Sequence, residues 1–159
     1  MPVKTATISE IKNELSGIAP ARLAEICTQL AKFKKDNKEL LTYLLFEEHD
    51  LPAYIENVKQ QMDNQFLEIN TSHLYFAKKS LRKILRITGK HIRYTSSKHA
   101  EVELLIYFCS KLHHSGIAFR QSPVLVNLYQ NQLKKINAVI ATLHEDLQYD
   151  YIKELQQLS

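Results

Sequence analysis

Three groups of residues in the 159-residue chain are of the types that transfer protons or bind metals. Glu47-Glu48-His49-Asp50 places four such side chains in a row. His99 and Glu103 stand four apart with Glu101 close by, and His113-His114 and His144-Glu145-Asp146 would form a third set if folding joined them. Each falls short of a working constellation. Successive helical side chains point about 100° apart, so four polar residues in a row at a helix end rarely meet on one ion, and a solvated turn is the simpler reading. His99 and Glu103 share a helix face, but no HExxH and no ExxH pair accompanies them, so they read as a charge or capping contact. The third set reads as exposed helix ends. No glycine-rich phosphate loop, GxSxG turn or activated-cysteine context occurs. The sequence therefore assigns no catalytic residue, no metal ligand and no cofactor. A class apart is an enzyme built from residues distant in sequence, which a concave pocket with convergent His and Glu side chains would favour.

The remaining chemistry is electrostatic. The stretch AKKSLRKILRITGKHIRYTSSK, residues 77–98, holds eight lysines and arginines and no acid. Of the chain's 21 bases and 17 acids, eight bases and no acid fall between Asn70 and Ala100, which leaves 13 bases against 17 acids elsewhere. At about 100° per residue, Leu74, Ala77, Leu81, Ile84, Leu85 and Thr88 gather on one side of a helix, with Phe76 and Ile87 extending it. Lys78, Arg82, Tyr75, Arg86, Lys79 and Lys83 follow one another, in that angular order, on the other side. The like-charge pairs Lys78–Arg82, Lys79–Lys83 and Arg82–Arg86 each cost about 0.2–0.5 kcal/mol, so something outside the helix is expected to offset them. Three sources compete: acids on neighbouring elements (Glu47, Glu48, Asp50, Glu101, Glu103, Asp146), an acidic protein, or the phosphates of a nucleic acid with Tyr75 stacked on a base. No helix-turn-helix, zinc-finger, RRM or KH signature favours the last.

The elements that must position this stripe are helical nearly throughout. Thr7-Ile-Ser-Glu10 fits a capping box and opens a short helix that ends near Leu15, before Ser16-Gly17. Pro20 suits the first turn of a second helix, in which Leu23, Ile26, Cys27, Leu30 and Phe33 recur at three and four, interrupted at Asp36-Asn37. A third carries Leu40, Leu41, Leu44 and Leu45. Asp50-Leu51-Pro52 restarts the chain as a fourth, with Ile55, Val58, Met62, Phe66 and Ile69 on one face. The fifth, basic helix is predicted over residues 73–88, beginning near Asn70-Thr71-Ser72 and closing at Gly89. Ser96-Ser97 caps a sixth whose middle, LLIYFC, is apolar on every side and belongs at the centre of the domain. Ser122-Pro123 opens a last region in which Val126, Tyr129, Leu133, Ile136, Ile140, Leu143 and Leu147 keep the helical spacing. That region is one long helix, or two bent between Thr142 and Asp146. Its seam either packs inward, which is the expectation, or pairs two copies as a short coiled coil.

With 45% hydrophobic and 24% charged residues, three glycines and four prolines, the composition is globular and excludes disordered classes. The expected fold is one all-α domain over residues 1–159, a bundle of six or seven helices in a compact array or in stacked helical hairpins. Cys27 and Cys109 sit in apolar stretches without CxxC spacing, which suits reduced core thiols and a cytoplasmic setting. No signal-length apolar segment opens the chain, and the longest strictly apolar run, Leu104 to Cys109, is far short of the about 20 residues that span a bilayer. Neither secretion nor membrane insertion is expected.

The stretches LLTYLLFEEHD, YFAKKSLRKILR and EVELLIYFC resemble segments of small uncharacterised bacterial all-helical proteins with no assigned activity, which implies a bacterial cytoplasmic setting. Residues 52–88 resemble a HEAT-like helical hairpin, AKKSLRKIL having the Ala and Leu spacing of that repeat's second helix. The functional expectation is a non-catalytic protein-interaction module whose basic face, made of Tyr75, Lys78, Lys79, Arg82, Lys83 and Arg86, contacts an acidic protein. The alternative is a nucleic-acid-associated protein that holds the phosphate backbone through the same face. The chain is expected to be a monomer, or a homodimer through its C-terminal helix.

Overall fold

The computed structural model describes residues 2–158. Among them there are helices and turns but no strand, so the fold is all-α, and no helix is long and apolar enough to cross a membrane. Where the sequence expectation takes 1–159 together, the chain divides into two compact units, one ending at Phe46 and the other beginning at Glu47. The six helices expected before Ser122 are all present, and the last helical region is in two pieces.

The first unit holds α1 (Ile8–Ser16), α2 (Pro20–Phe33) and α3 (Lys35–Thr42). The capping box forms as read: the Thr7 hydroxyl accepts the Glu10 amide at 3.2 Å, and the Glu10 carboxylate accepts the Thr7 amide at 2.7 Å. Pro20 lies in the first turn of α2, where its missing N–H is no loss. The break after α2 comes at Lys34, which is extended at φ −142°, ψ 141°, and not at Asp36-Asn37. Asp36 instead sits in the first turn of α3, where a carboxylate favours the helix dipole. The Asn37 carboxamide donates to the Leu30 carbonyl at 2.9 Å and ties α3 to the end of α2. Cys27, Ala31 and Leu41 are half-buried along the groove between these helices, whereas Phe33, Leu44 and Leu45 are exposed. Regular α-helix ends at Thr42, and the chain passes through a π turn (Tyr43–Glu47) and a 3-10 turn (Glu48–Asp50).

The second unit contains α4 (Leu51–Leu67), α5 (Leu74–Thr95), α6 (Lys98–His113), α7 (Pro123–Ile140) and α8 (Glu145–Gln156). Asp50 accepts the Ala53 amide at 3.2 Å, starting α4 where it was read, and Ile55, Val58, Met62 and Phe66 are its buried face. The basic helix α5 differs from its expected span at both ends. Asn70 accepts the Ser72 amide at 3.1 Å, which makes a side-chain turn in place of a helix cap, and His73 precedes the first turn without capping it. Gly89 does not close the helix. Thr88 before it is buried and Ile92 after it packs on the core, and that burial outweighs the about 1 kcal/mol that a mid-helix glycine costs. The left-handed closing residue is Ser96, at φ 50°.

Ser97 caps α6 by accepting the Ala100 amide at 3.1 Å. Val102, Leu104, Phe108, Cys109 and Leu112 on α6 have no exposed surface, and this helix touches each of α4, α5, α7 and α8. The loop after it turns at Gly116, whose φ of 79° suits a residue without a Cβ. Ser122 caps α7, accepting the Leu125 amide at 3.4 Å, and of the seam Tyr129, Ile136 and Ile140 are buried in the chain's own core, Val126, Leu133 and Leu143 are half-buried, and Leu147 is exposed. The Tyr129 hydroxyl donates to the Leu158 carbonyl at 2.8 Å, fixing the segment that follows α8.

Two substitutions test this core. Leu105→Ala is expected to lower stability by about 2–5 kcal/mol through lost burial and a residual cavity, measured by urea denaturation. A loss below about 0.5 kcal/mol, the scale of surface changes, would contradict the central place of α6. Ile136→Asp is expected to unfold the second unit, because it buries an unpaired charge, and the loss should be seen as collapse of the helical circular dichroism. A folded variant would contradict the inward seam.

Candidate functional site

On α5 the apolar side is as the spacing predicts: Ala77, Leu81, Ile84 and Thr88 are buried, and Leu74 and Leu85 pack on the core half-buried. Lys79, Arg82, Lys83 and Arg86 are consequently exposed and Lys78 half-buried. Among the described residues none of these five forms an ion pair. Among the described residues none of the six acids considered as internal compensation pairs with these cations: Glu103 engages Lys59, Asp50 accepts the Ala53 amide, and Glu47, Glu48, Glu101 and Asp146 form no ion pair with the stripe. Tyr75 and Phe76 are 59% and 53% exposed at the start of the stripe, with their rings edge-to-face at 5.4 Å. The ammonium groups of Lys79 and Lys78 lie 4.7 and 5.6 Å from the Tyr75 ring centroid, a cation–π arrangement that spreads charge over the aromatic.

A second feature emerges from tertiary packing. Between α4, α6 and α8 lies an open groove of about 860 Å³. Its α6 wall carries a polar stripe, His99, Glu103, Tyr107 and Ser110, continued by His114 just after the helix, with Ile106 beside it. Lys59 on α4 donates to Glu103 Oε1 at 3.0 Å and lies 3.4 Å from Glu56 Oε1. Glu103 Oε2 is 3.2 Å from His99 Nε2, and His99 Nδ1 is 2.6 Å from the Tyr151 hydroxyl on α8. Burial, with the charges of Glu103, Glu154 and Asp150, pushes the Tyr151 phenol up to about 12, so it keeps its proton. Beside it, the Tyr107 hydroxyl donates to Asp63 Oδ1 at 2.6 Å, and Lys111 lies 3.2 Å from the same oxygen. Tyr107 is pushed up to about 12 by burial, then by the Asp63 hydrogen bond and the nearby carboxylates. Desolvation would lower the Lys59 ammonium, but Glu103 and Glu56 outweigh it and hold its pKa above the ordinary value.

The groove is concave and brings a histidine and a glutamate together. Both ring nitrogens of His99 and both oxygens of Glu103 are engaged, and the neighbouring phenols are raised, not activated. Among the described residues no three His, Cys, Asp or Glu side chains converge as a metal-ligand set. His144 Nδ1 accepts the Asp146 amide at 3.3 Å and starts α8, and His114 Nδ1 donates to the Ser110 carbonyl at 2.8 Å. The His113 Nδ1 atom is buried without a hydrogen-bond partner. Glu48, His49 and Asp50 form the 3-10 turn before α4.

Sequence reading found His99 and Glu103 as a pair but not their partners, because Tyr151 lies 52 residues from His99 and Lys59 lies 44 from Glu103. One signal was available: His99, Glu103, Tyr107, Ser110 and His114 recur at four, four, three and four, a polar stripe on an apolar helix. No protein-family model, curated protein or solved structure matches the chain.

The raised phenols make stability depend on alkaline pH. An unfolded tyrosine loses its proton near pH 10, whereas Tyr107 and Tyr151 keep theirs to about 12, so the folded state binds more protons in between. Stability is expected to be unaffected by these groups below pH 10 and to fall as pH rises from 10 to about 12, with Lys59 adding a loss of the same sign. Denaturation midpoints across that range should fall less steeply in Tyr151→Phe, and an identical slope would contradict the placement of this phenol.

Proposed function

We propose that the second unit is a non-catalytic interaction module that docks an acidic protein on the exposed face of α5. The observation that carries this reading is the set of five cations, Lys78, Lys79, Arg82, Lys83 and Arg86, that find no carboxylate among the described residues. A row of like charges at i,i+4 is locally unfavourable, so an external anion gains both attraction and relief of that repulsion. Tyr75 and Phe76 add aromatic surface beside the arginines, the residue mix that dominates protein–protein contacts. Backbone binding to nucleic acid is the second reading, and the Tyr75 geometry weighs against it: the ammonium group of Lys79 occupies ring surface on which a base would stack. The HEAT-like pairing of residues 52–88 suits a docking role. The free thiols of Cys27 and Cys109, one half-buried and one buried, support placing the protein in a reducing bacterial cytoplasm.

The triple change Lys78→Gln, Arg82→Gln and Arg86→Gln separates the readings. Immobilised protein is expected to retain an acidic partner from bacterial lysate at low salt and release it as salt rises, and the triple variant is expected to retain none while keeping its helical spectrum. Labelled duplex and single-stranded oligonucleotides are expected not to bind near physiological salt. Sub-micromolar oligonucleotide binding would overturn the proposal if the triple variant reduced the log–log salt slope, which scales as about 0.7–0.9 per phosphate, by about two to three units.

A further inference from the structure

Resting on the reading of α5 as a docking face for an acidic protein surface, we infer that a second copy of this chain supplies that surface locally, its groove between α4, α6 and α8 receiving the α5 face. The groove is the stripe's complement in charge. Its lining carries four carboxylates, Glu56, Glu103, Asp150 and Glu154, against one ammonium, Lys59, and so is net −3 with histidines neutral, in a chain that is +4 overall. Asp150 and Glu154 form no ion pair among the described residues, just as the α5 cations form none. The negative field they create is felt inside the groove, where they help to hold the Tyr151 phenol in its protonated form.

The spacing also matches. Asp150 and Glu154 are four residues apart on α8, about 6 Å along its axis, and Lys78, Arg82 and Arg86 repeat at the same interval along α5. Between the charged rows, each surface offers apolar material. Leu147, 38% exposed, lines the groove over the buried Ile55 and Ile106, and Phe76 and Tyr75 project beside the stripe. The aromatic pair supplies the large, rigid anchors that interfaces favour, and the charged rows set register and salt dependence. Because stripe and groove are different patches of one molecule, the contact is head-to-tail. Each added copy presents a fresh stripe and a fresh groove, so assembly proceeds past a dimer, into a ring or an open chain, and grows with concentration.

Sedimentation velocity on the full chain tests this without knowing any other partner. The wild type is expected to form species larger than a dimer as concentration rises at low salt, and to return to monomer as salt is added. The groove variant Asp150→Lys with Glu154→Lys and the stripe variant Lys78→Gln, Arg82→Gln, Arg86→Gln should each be monomeric. Mixed in equal amounts they should form a 1:1 dimer and nothing larger, because only one intact stripe and one intact groove remain to pair. All these positions except half-buried Lys78 are exposed, so the variants should keep the wild-type circular dichroism. A wild type that stays monomeric at low salt across the whole concentration range overturns the inference, as does growth that either variant retains. If the wild type is monomeric while the α5 face still retains a different acidic protein from lysate, the second-copy inference falls and the docking reading stands. If the stripe variant loses nothing in either assay, both fall.

Discussion

A helix that is apolar over nearly its whole circumference has to be surrounded, and α6 imposes that constraint on the second unit. Ala100, Val102, Leu104, Phe108, Cys109 and Leu112 are completely buried, which requires neighbours on several sides at once, and α4, α5, α7 and α8 supply them. Each of these four helices gives its apolar face to α6 or to the core around it. Their polar faces are thereby turned outward, and the chemistry of the surface follows from the packing of the interior.

Two consequences of that arrangement bear on function. On α5, burying Ala77, Leu81, Ile84 and Thr88 leaves every lysine and arginine between residues 78 and 86 on the solvent side or at its margin. On α6, a polar stripe runs along the open side between α4 and α8, where Lys59, Glu103, His99 and Tyr151 form a chain of polar contacts across three helices. That chain fixes α8 to α6 through the phenol of Tyr151 and leaves Asp150 and Glu154, which flank it, at the rim of the groove. The basic face and the acidic groove are therefore products of one central helix, not independent decorations.

Much of this was readable in the sequence because it is local. Capping at Thr7, Asp50, Ser97 and Ser122 depends on a hydroxyl or carboxylate three residues before a backbone amide, and all four caps form. The all-apolar LLIYFC segment and the three-and-four seam of Tyr129, Ile136 and Ile140 report burial directly. What failed was local signal overruled by packing. Gly89 and the cap-forming residues Asn70 to Ser72 suggested helix ends, but burial of Thr88 and Ile92 carried α5 on to Thr95, and Asn70 closed a turn on Ser72 instead. The groove network could not be read at all from spacing, since its members meet only when residues tens of positions apart are folded together. The first unit is the reverse case. Its three helices are present, but the break after the second falls at Lys34 and not at Asp36-Asn37, the third ends at Thr42 before Leu44 and Leu45, and Phe33, Leu44 and Leu45 remain exposed, so amphipathic spacing there did not translate into a buried core.

The central claim is that α6 organises the second unit, and native-state hydrogen exchange tests it most directly. Amides from Val102 to Leu112 should be the slowest of the chain and exchange only through global unfolding, so that their protection tracks the stability measured by urea denaturation. Faster exchange of these amides than of the buried positions on α5 and α7, through an opening that leaves those helices protected, would contradict it.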